Sequence, residues 1–325
     1  MSSAGEGSDQ LKEESEQPDR GLVLVTGGAG FIGSHLVEAL LAQGRKVRVL
    51  DDLTFGHREW VPRGAELLVG DIRDAQTCRQ ACANCEAVFH MAAMSRSAAS
   101  LDNIEICTSA NITGTQNLLI AAKDQGVKKV IYSGSSTYYG NQPAPHREDM
   151  AGDFLNFYGL SKYAGEEYCL MFDRLYGLPC VVLRYFNVYG PRQPEEGIYA
   201  LVLGIFLRRA AEGKALLIHG TGEQRRDFIH VRDVAAANLA ALESAAHGVR
   251  LNVGSGTSIS VKELADMISD RQEFEPRRRG DAEVTLADIS RIRETLSWAP
   301  KVSFREGLQE LSQLMALQLR AETAR

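Results

Sequence analysis

Two side chains in this sequence are spaced for acid–base chemistry: Tyr158 and Lys162, in Tyr158-Gly-Leu-Ser-Lys162. Four residues apart on a helix they share a face, so the ammonium can lie beside the phenol. A free phenol has a pKa of about 10. A neighbouring cation favours the phenolate and makes Tyr158 a candidate general base near neutral pH. A second group is built for anion binding: Thr26-Gly27-Gly28-Ala29-Gly30-Phe31-Ile32-Gly33. Gly28 permits a tight turn, Gly30 lets a pyrophosphate approach the backbone, and Gly33 lets a helix pack closely on its strand. The N-terminus of that helix then faces the phosphates. Asp51 stands 18 residues beyond Gly33, placed to accept hydrogen bonds from ribose hydroxyls. Its charge would repel a 2′-phosphate, so the pattern selects NAD over NADP. A positive nicotinamide would add to Lys162 in favouring the Tyr158 phenolate.

These groups need elements to hold them. The apolar run at 21–26 reads as a strand, 34–41 has helical periodicity, and 46–50 is a strand ending at Asp51. Further apolar strands are expected at 66–69, running into Gly70-Asp71-Ile72, and at 87–90 and 129–133. Strands alternating with helices predict an α/β fold, a Rossmann-type doubly wound parallel sheet with ligands at the strand C-termini. Helices are expected at 201–211, 261–268 and 305–319 in a smaller C-terminal α/β cap.

Composition narrows the function classes. The 325 residues carry a net charge of −6, which argues against nucleic acid as the main partner because phosphate binding wants a basic face. The longest apolar run, 199–207, ends at Arg208-Arg209, far short of a membrane span. Residues 1–20 hold six acids against Lys12 and Arg20 and only three apolar residues, Met1, Ala4 and Leu11. Such a stretch is expected to be a disordered acidic tail. It lacks the pattern of a secretory signal, so a cytoplasmic, reducing location is expected. Cys78, Cys82 and Cys85 have a spacing used for iron–sulfur clusters. Cys78 and Cys82 stand one turn apart on an amphipathic helix at 74–83 that leads into the strand at 87–90; with no glycine to wrap a cluster, all three read as core packing, as do Cys107, Cys169 and Cys180. No metal site is expected.

Seven motifs occur in order: Thr26-Gly-Gly-Ala-Gly-Phe-Ile-Gly33, Asp71-Ile72, His90-Met-Ala-Ala93, Ser133-Gly-Ser-Ser-Thr-Tyr-Tyr-Gly140, Tyr158-x3-Lys162, Arg184-Tyr-Phe-Asn-Val-Tyr-Gly-Pro191 and Arg226-Asp-Phe-Ile-His230. Together they resemble the extended short-chain dehydrogenase/reductase family, in its NAD-dependent nucleotide-sugar epimerase/dehydratase branch, over about residues 21–315. The UDP-glucose and UDP-N-acetylglucosamine 4-epimerases are the members it is most like. The resemblance implies an NAD-binding domain over 21–186, with 227–256 returning to it, and a nucleotide-sugar-binding domain over 187–325. It implies cofactor contacts from Gly27, Gly30, Phe31, Ile32, Gly33, Asp51, Asp71, Ile72, Ala92, Ala93 and Phe186, besides Tyr158 and Lys162. Ser135 would hydrogen-bond the reacting sugar hydroxyl, Tyr158 would remove its proton, and Lys162 would hold the nicotinamide ribose. Asn187 would touch the nucleotide end of the substrate, and Arg226 and Arg278 would clamp the diphosphate. Asn111 would be a structural and water-relay residue, and His90 and His230 structural. A homodimer through helices around 104–123 and 158–175 is also implied.

Within this branch, dehydratases carry an Asp-Glu pair just after the active-site hydroxyl residue, and decarboxylases a glutamate. Here Ser136 and Thr137 stand there, and neither can do carboxylate chemistry. The reaction expected is therefore C4 epimerisation of a UDP-sugar through a transient 4-keto intermediate. Two other readings stay open: a nucleotide-sugar 4-ketoreductase or dehydrogenase on the same residues, and a non-catalytic NAD-sensing scaffold. Thr285 falls where a large aromatic often excludes 2-acetamido sugars, which leaves room for UDP-GlcNAc/GalNAc beside UDP-glucose/galactose. Arg96 follows the fourth strand and would suit an anionic or unusual substituent.

Overall fold

The computed structural model describes residues 21–95, 97–194, 201–276 and 282–323; the tail expected at 1–20 lies outside them. The first half alternates strand and helix. It contains β1 (Leu22–Thr26), α1 (Phe31–Ala42), β2 (Lys46–Asp51), β3 (Ala65–Val69), α2 (Ala75–Cys82) and β4 (Cys85–His90). Short helices α3 (Ser97–Asp102) and α4 (Ile104–Thr108) lead through a π-helical turn at Ser109–Gly114 into α5 (Thr115–Asp124). Then come β5 (Lys129–Ser135), α6 (Phe157–Tyr176) and β6 (Cys180–Tyr185).

The remaining elements are β7 (Asn187–Tyr189), α7 (Val202–Ala211), β8 (Leu216–His219), β9 (Arg225–Arg226), β10 (Phe228–His230) and α8 (Val231–Glu243). They continue with β11 (Val249–Val253), β12 (Ile259–Ser260), α9 (Val261–Ile268), β13 (Gln272–Glu275), α10 (Ser290–Leu296) and α11 (Phe304–Thr323). Seven strands form one parallel sheet in the order β11-β6-β5-β4-β1-β2-β3. The order reverses between β1 and β4, the switch point at which open parallel sheets bind ligands beyond their strand C-termini.

Each central strand is buried on both faces, which explains its continuous apolar run. Val23 and Val25 of β1 face a core made with α1 and α8, whereas Leu24 faces a second core made with α2, α5 and α6. A third core, around Phe206, Leu216, Leu264 and Leu311, holds the cap together. All six cysteines are buried and free. Cys78 Sγ donates to the Ile72 carbonyl at 3.2 Å, and Cys85 Sγ to that of Ala81 at 3.3 Å. Burial pushes the Cys78 thiol up to about 12 and Cys85 to about 11, far from thiolate.

One charged pair ties sheet to helix. Arg184 of β6 and Glu166 of α6 are each 1% exposed and meet through two hydrogen bonds of 3.0 and 2.6 Å. The guanidinium also donates to the Tyr139 hydroxyl at 2.9 Å and lies 3.8 Å over the Tyr138 ring. Arg250 of β11 closes on Glu166 and Glu167 from the other side. Breaking a buried pair strands an arginine that cannot give up its proton. Glu166→Leu is therefore expected to cost about 3–5 kcal/mol in urea denaturation, and Glu166→Leu/Arg184→Met to recover most of it. A single-variant loss under about 1 kcal/mol would contradict this role.

Candidate active site

The glycine loop joins β1 to α1 at the switch point. Gly27 has φ +69°, and a Cβ there would sit 2.8 Å from the Ala92 amide nitrogen. A Cβ on Gly33 would meet the Gly27 carbonyl oxygen at 2.1 Å, so only glycine lets α1 pack this close to the loop. Gly30 caps α1 without a side chain, and no acid stands in the first turn. The amides of that turn are thus open to an external anion. Asp51, 7% exposed at the end of β2, accepts from Ala29 N at 3.0 Å and Leu53 N at 2.9 Å. It shapes the glycine loop, and burial raises its carboxyl above the usual range. The cradle fits a dinucleotide.

Below it lies a network that the sequence reading left out. Thr26 Oγ1 accepts from Met91 N and Ala92 N, both at 3.1 Å, so its proton goes to His90 Nδ1 at 2.8 Å. His90 Nε2 then donates to Thr115 Oγ1 at 2.9 Å, and Thr115 donates to the Asn111 carbonyl at 2.7 Å. Burial, with Lys162 nearby, pushes His90 down to about 3, which keeps it neutral for this relay. The structural reading of His90 agrees with this. Ala92 and Ala93 follow directly and are half-buried. Ile72 is buried against Gly114, while the Asp71 carboxylate is held low by its Arg73 hydrogen bonds of 2.5 and 2.8 Å.

Ser135 ends β5, and its Oγ lies 2.8 Å from Thr137 Oγ1. The turn that follows abuts α6, since a Cβ on Gly159 would be 3.0 Å from the Thr137 carbonyl. Asn156 starts α6, accepting from Gly159 N at 2.9 Å, a capping role that explains its place before Phe157-Tyr158. Tyr158 N donates to the buried Ser100 Oγ at 3.1 Å, and Tyr158 O accepts from Ser161 Oγ at 2.9 Å. Asn111 reaches this serine from the π-helical turn. Its Nδ2 donates to Ser161 Oγ and to Met94 O, each at 2.9 Å, and its Oδ1 accepts from Met94 N at 2.8 Å. A π-turn offsets one residue of a helix toward a site, and here that residue is Asn111. Lys162 is 4% exposed, with Nζ 4.3 Å over the Tyr132 ring. Tyr132 donates to the Lys162 carbonyl at 3.1 Å. Burial pushes the ammonium down to about 8.

Beyond β6 lie the remaining residues expected at the site. Phe186 is buried in the core, stacked toward Tyr139. Asn187 Nδ2 donates to Asp227 O at 2.9 Å and to Thr285 Oγ1 at 2.8 Å. Arg226 donates to the carbonyls of Arg225 and Glu283. Asp227, fully buried, accepts from the amides of Ser255, Gly256 and Ala287 at 2.7, 3.1 and 3.0 Å. That carboxylate ties the 255–256 and 287 backbones to the strand beside Asn187, and its presence in Arg226-Asp227-Phe228 was its only sequence signal. His230 is 1% exposed and pushed down to about 4 by burial. Arg96 and Arg278 lie outside the described residues.

A buried ammonium shifted this far destabilises the fold wherever it is charged. The unfolded chain holds the proton up to the ordinary 10.5, so stability rises with pH between about 8 and 10.5. Lys162→Met should stabilise cofactor-free protein at pH 7 by up to about 3 kcal/mol in urea and erase that pH dependence. A destabilised Met variant would refute the account.

Residues 23–254 match the NAD dependent epimerase/dehydratase family. The UDP-glucose 4-epimerase of Mycolicibacterium smegmatis is 40% identical over 299 residues, covering 88% of this chain and 95% of that one. The structure of a UDP-glucose 4-epimerase from Thermotoga maritima with UDP-glucose superposes at a TM-score of 0.88, with 36% identity over 92% of this chain and 99% of the other. A UDP-N-acetylglucosamine 4-epimerase from Methanobrevibacter ruminantium, in complex with UDP-N-acetylmuramic acid, gives 0.87 at 35% identity, covering 92% and 99%. With its glycine cradle at the switch point of a seven-stranded parallel sheet, this chain belongs to the NAD dependent epimerase/dehydratase family.

Proposed function

We propose that the protein epimerises a UDP-sugar at C4. The observation that carries this is the hydroxyl of Thr137, 2.8 Å from Ser135 Oγ, where elimination or decarboxylation would need an acid. Ser135 orients the sugar 4-hydroxyl and Tyr158 takes its proton. Lys162, its charge undiluted by solvent, holds the phenolate form and the ribose. Gly27, Gly30, Phe31, Ile32, Gly33, Asp51, Asp71, Ile72, Ala92, Ala93 and Phe186 would hold NAD, which would supply reversible two-electron chemistry at C4. With Ser136 and Thr137 beside Ser135, the chain offers no carboxylate there to divert the 4-keto sugar. Asn187, Arg226 and Arg278 bind the nucleotide end, where guanidinium groups suit a diphosphate. Thr285 is small enough to admit a 2-acetamido group, so the substrate in this reading is UDP-glucose/galactose or UDP-GlcNAc/GalNAc. Arg96 is assigned to the sugar end.

The same helix supports a homodimer. Tyr158, Lys162 and Glu166 occupy its inner face, while Leu160, Met171 and Leu175 on the outer face are exposed, as are Ile104 and Ile106 of α4 and Ile120 of α5. An apolar face of this extent, shared by neighbouring helices, fits a second copy of the chain.

Purified protein given UDP-sugars without added NAD should invert C4 by NMR, with no net reduction of cofactor; stoichiometric reduction would favour a dehydrogenase instead. Tyr158→Phe should lower kcat by about a thousandfold with fold and bound NAD retained, and wild-type turnover in that variant would exclude Tyr158 as the base. Light scattering should give twice the chain mass, falling to one chain in Leu160→Asp/Leu175→Asp; a monomeric wild type would rule out the dimer.

A further inference from the structure

Helix α1 does more than present its first turn to the cofactor. Further along it, His35 Nε2 lies 2.8 Å from the carbonyl of Pro191, in the loop that follows β7. A carbonyl only accepts, so Nε2 carries the proton and Nδ1 is an acceptor. Arg192 Nη2 fills it at 3.1 Å, and the same nitrogen reaches Glu38 Oε2 at 2.6 Å. One neutral tautomer of His35 satisfies the whole cluster. Burial lowers the imidazole pKa and the Arg192 charge adds to this, which keeps that tautomer in place.

The loop is also strained. Arg192 has φ +66°, in the left-handed region that residues with a Cβ seldom adopt. Gly190 has φ +146°, and a Cβ there would lie 2.6 Å from Val231 Cγ1. Gln193 closes the turn, its N donating to Gly190 O at 3.2 Å. Strain of this kind persists only where surrounding contacts over-determine it. The side-chain contacts that hold Arg192 come from the cofactor helix.

We propose that His35, Glu38 and Arg192 are positioning residues that latch the 190–193 loop of the substrate half onto the NAD-binding helix, coupling cofactor retention to nucleotide affinity. The inference rests on the reading that the nucleotide binds beside Asn187, on the strand leading into this loop. None of the three residues touches the reacting atoms in that reading. They act by fixing one wall of the site against the other.

Two substitutions separate coupling from mere stability. Arg192→Ala removes the guanidinium and keeps the strained backbone; Arg192→Gly removes it and relieves the strain. The readouts are Tm, the rate at which holoenzyme loses NAD, and the affinity for UDP by calorimetry. Both variants should release NAD about three- to tenfold faster and bind UDP about three- to tenfold more weakly, the range expected for one partly exposed ion pair with its hydrogen bonds. Arg192→Gly should keep or exceed the wild-type Tm, while Arg192→Ala falls below it. Wild-type NAD release in Arg192→Gly overturns the latch, and so does NAD release that merely follows Tm across the variants. Neither readout is turnover. A wild-type protein that binds both ligands but fails to epimerise would end the proposed activity and leave the latch standing.

Discussion

Glu166 lies one turn beyond Lys162 and two beyond Tyr158 on α6, and Arg184 closes on it from the adjacent strand β6. Where this charge pair sits decides which face of α6 turns inward. A buried guanidinium has to be met by a carboxylate at a fixed distance and angle, and few rotations of the helix allow it. Once Glu166 is fixed, helical spacing carries Lys162 and Tyr158 to the same side. The Arg184 bond to Tyr139 and its contact with Tyr138 extend the constraint to the turn that begins at Ser135. A single ionic contact thereby sets helix and hydroxyl turn against each other.

Around that anchor the protein holds polar groups where burial is unfavourable to them. Lys162 stays in a site where its charge is costly, with the Tyr132 ring beneath it. His90 is kept neutral so that it can pass a hydrogen bond from Thr26 to Thr115. Asn111 gains its reach from a π-helical turn in place of regular helix. The burial of Lys162 gives up local stability for a fixed position, a trade functional sites often make.

Much of this was legible in the residue pattern. The strands at 46–51 and 87–90 and the helix at 261–268 are present within a residue or two, because alternating apolar runs and glycine loops are local signals. The glycine cradle and Asp51 occupy the places the motif implies. The helix around 104–123 is in fact interrupted, since a π-turn follows from what Asn111 must reach and not from local propensity. Asp227 and Arg184 could be seen as motif members, but not as a buried acceptor of several amides and a buried ion pair.

The sequence by itself determined the fold class, the cofactor half and the spacing of Tyr158 and Lys162, because all three depend on periodicity and on residue types close together along the chain. Only the tertiary structure decided the tautomer of His90, the depressed pKa of Lys162, and the contact of His35 with Pro191. Most of these depend on burial and on partners dozens of residues away. Desolvation and hydrogen-bond direction are properties of packed neighbours, and packing brings those neighbours together without leaving a local mark in the sequence.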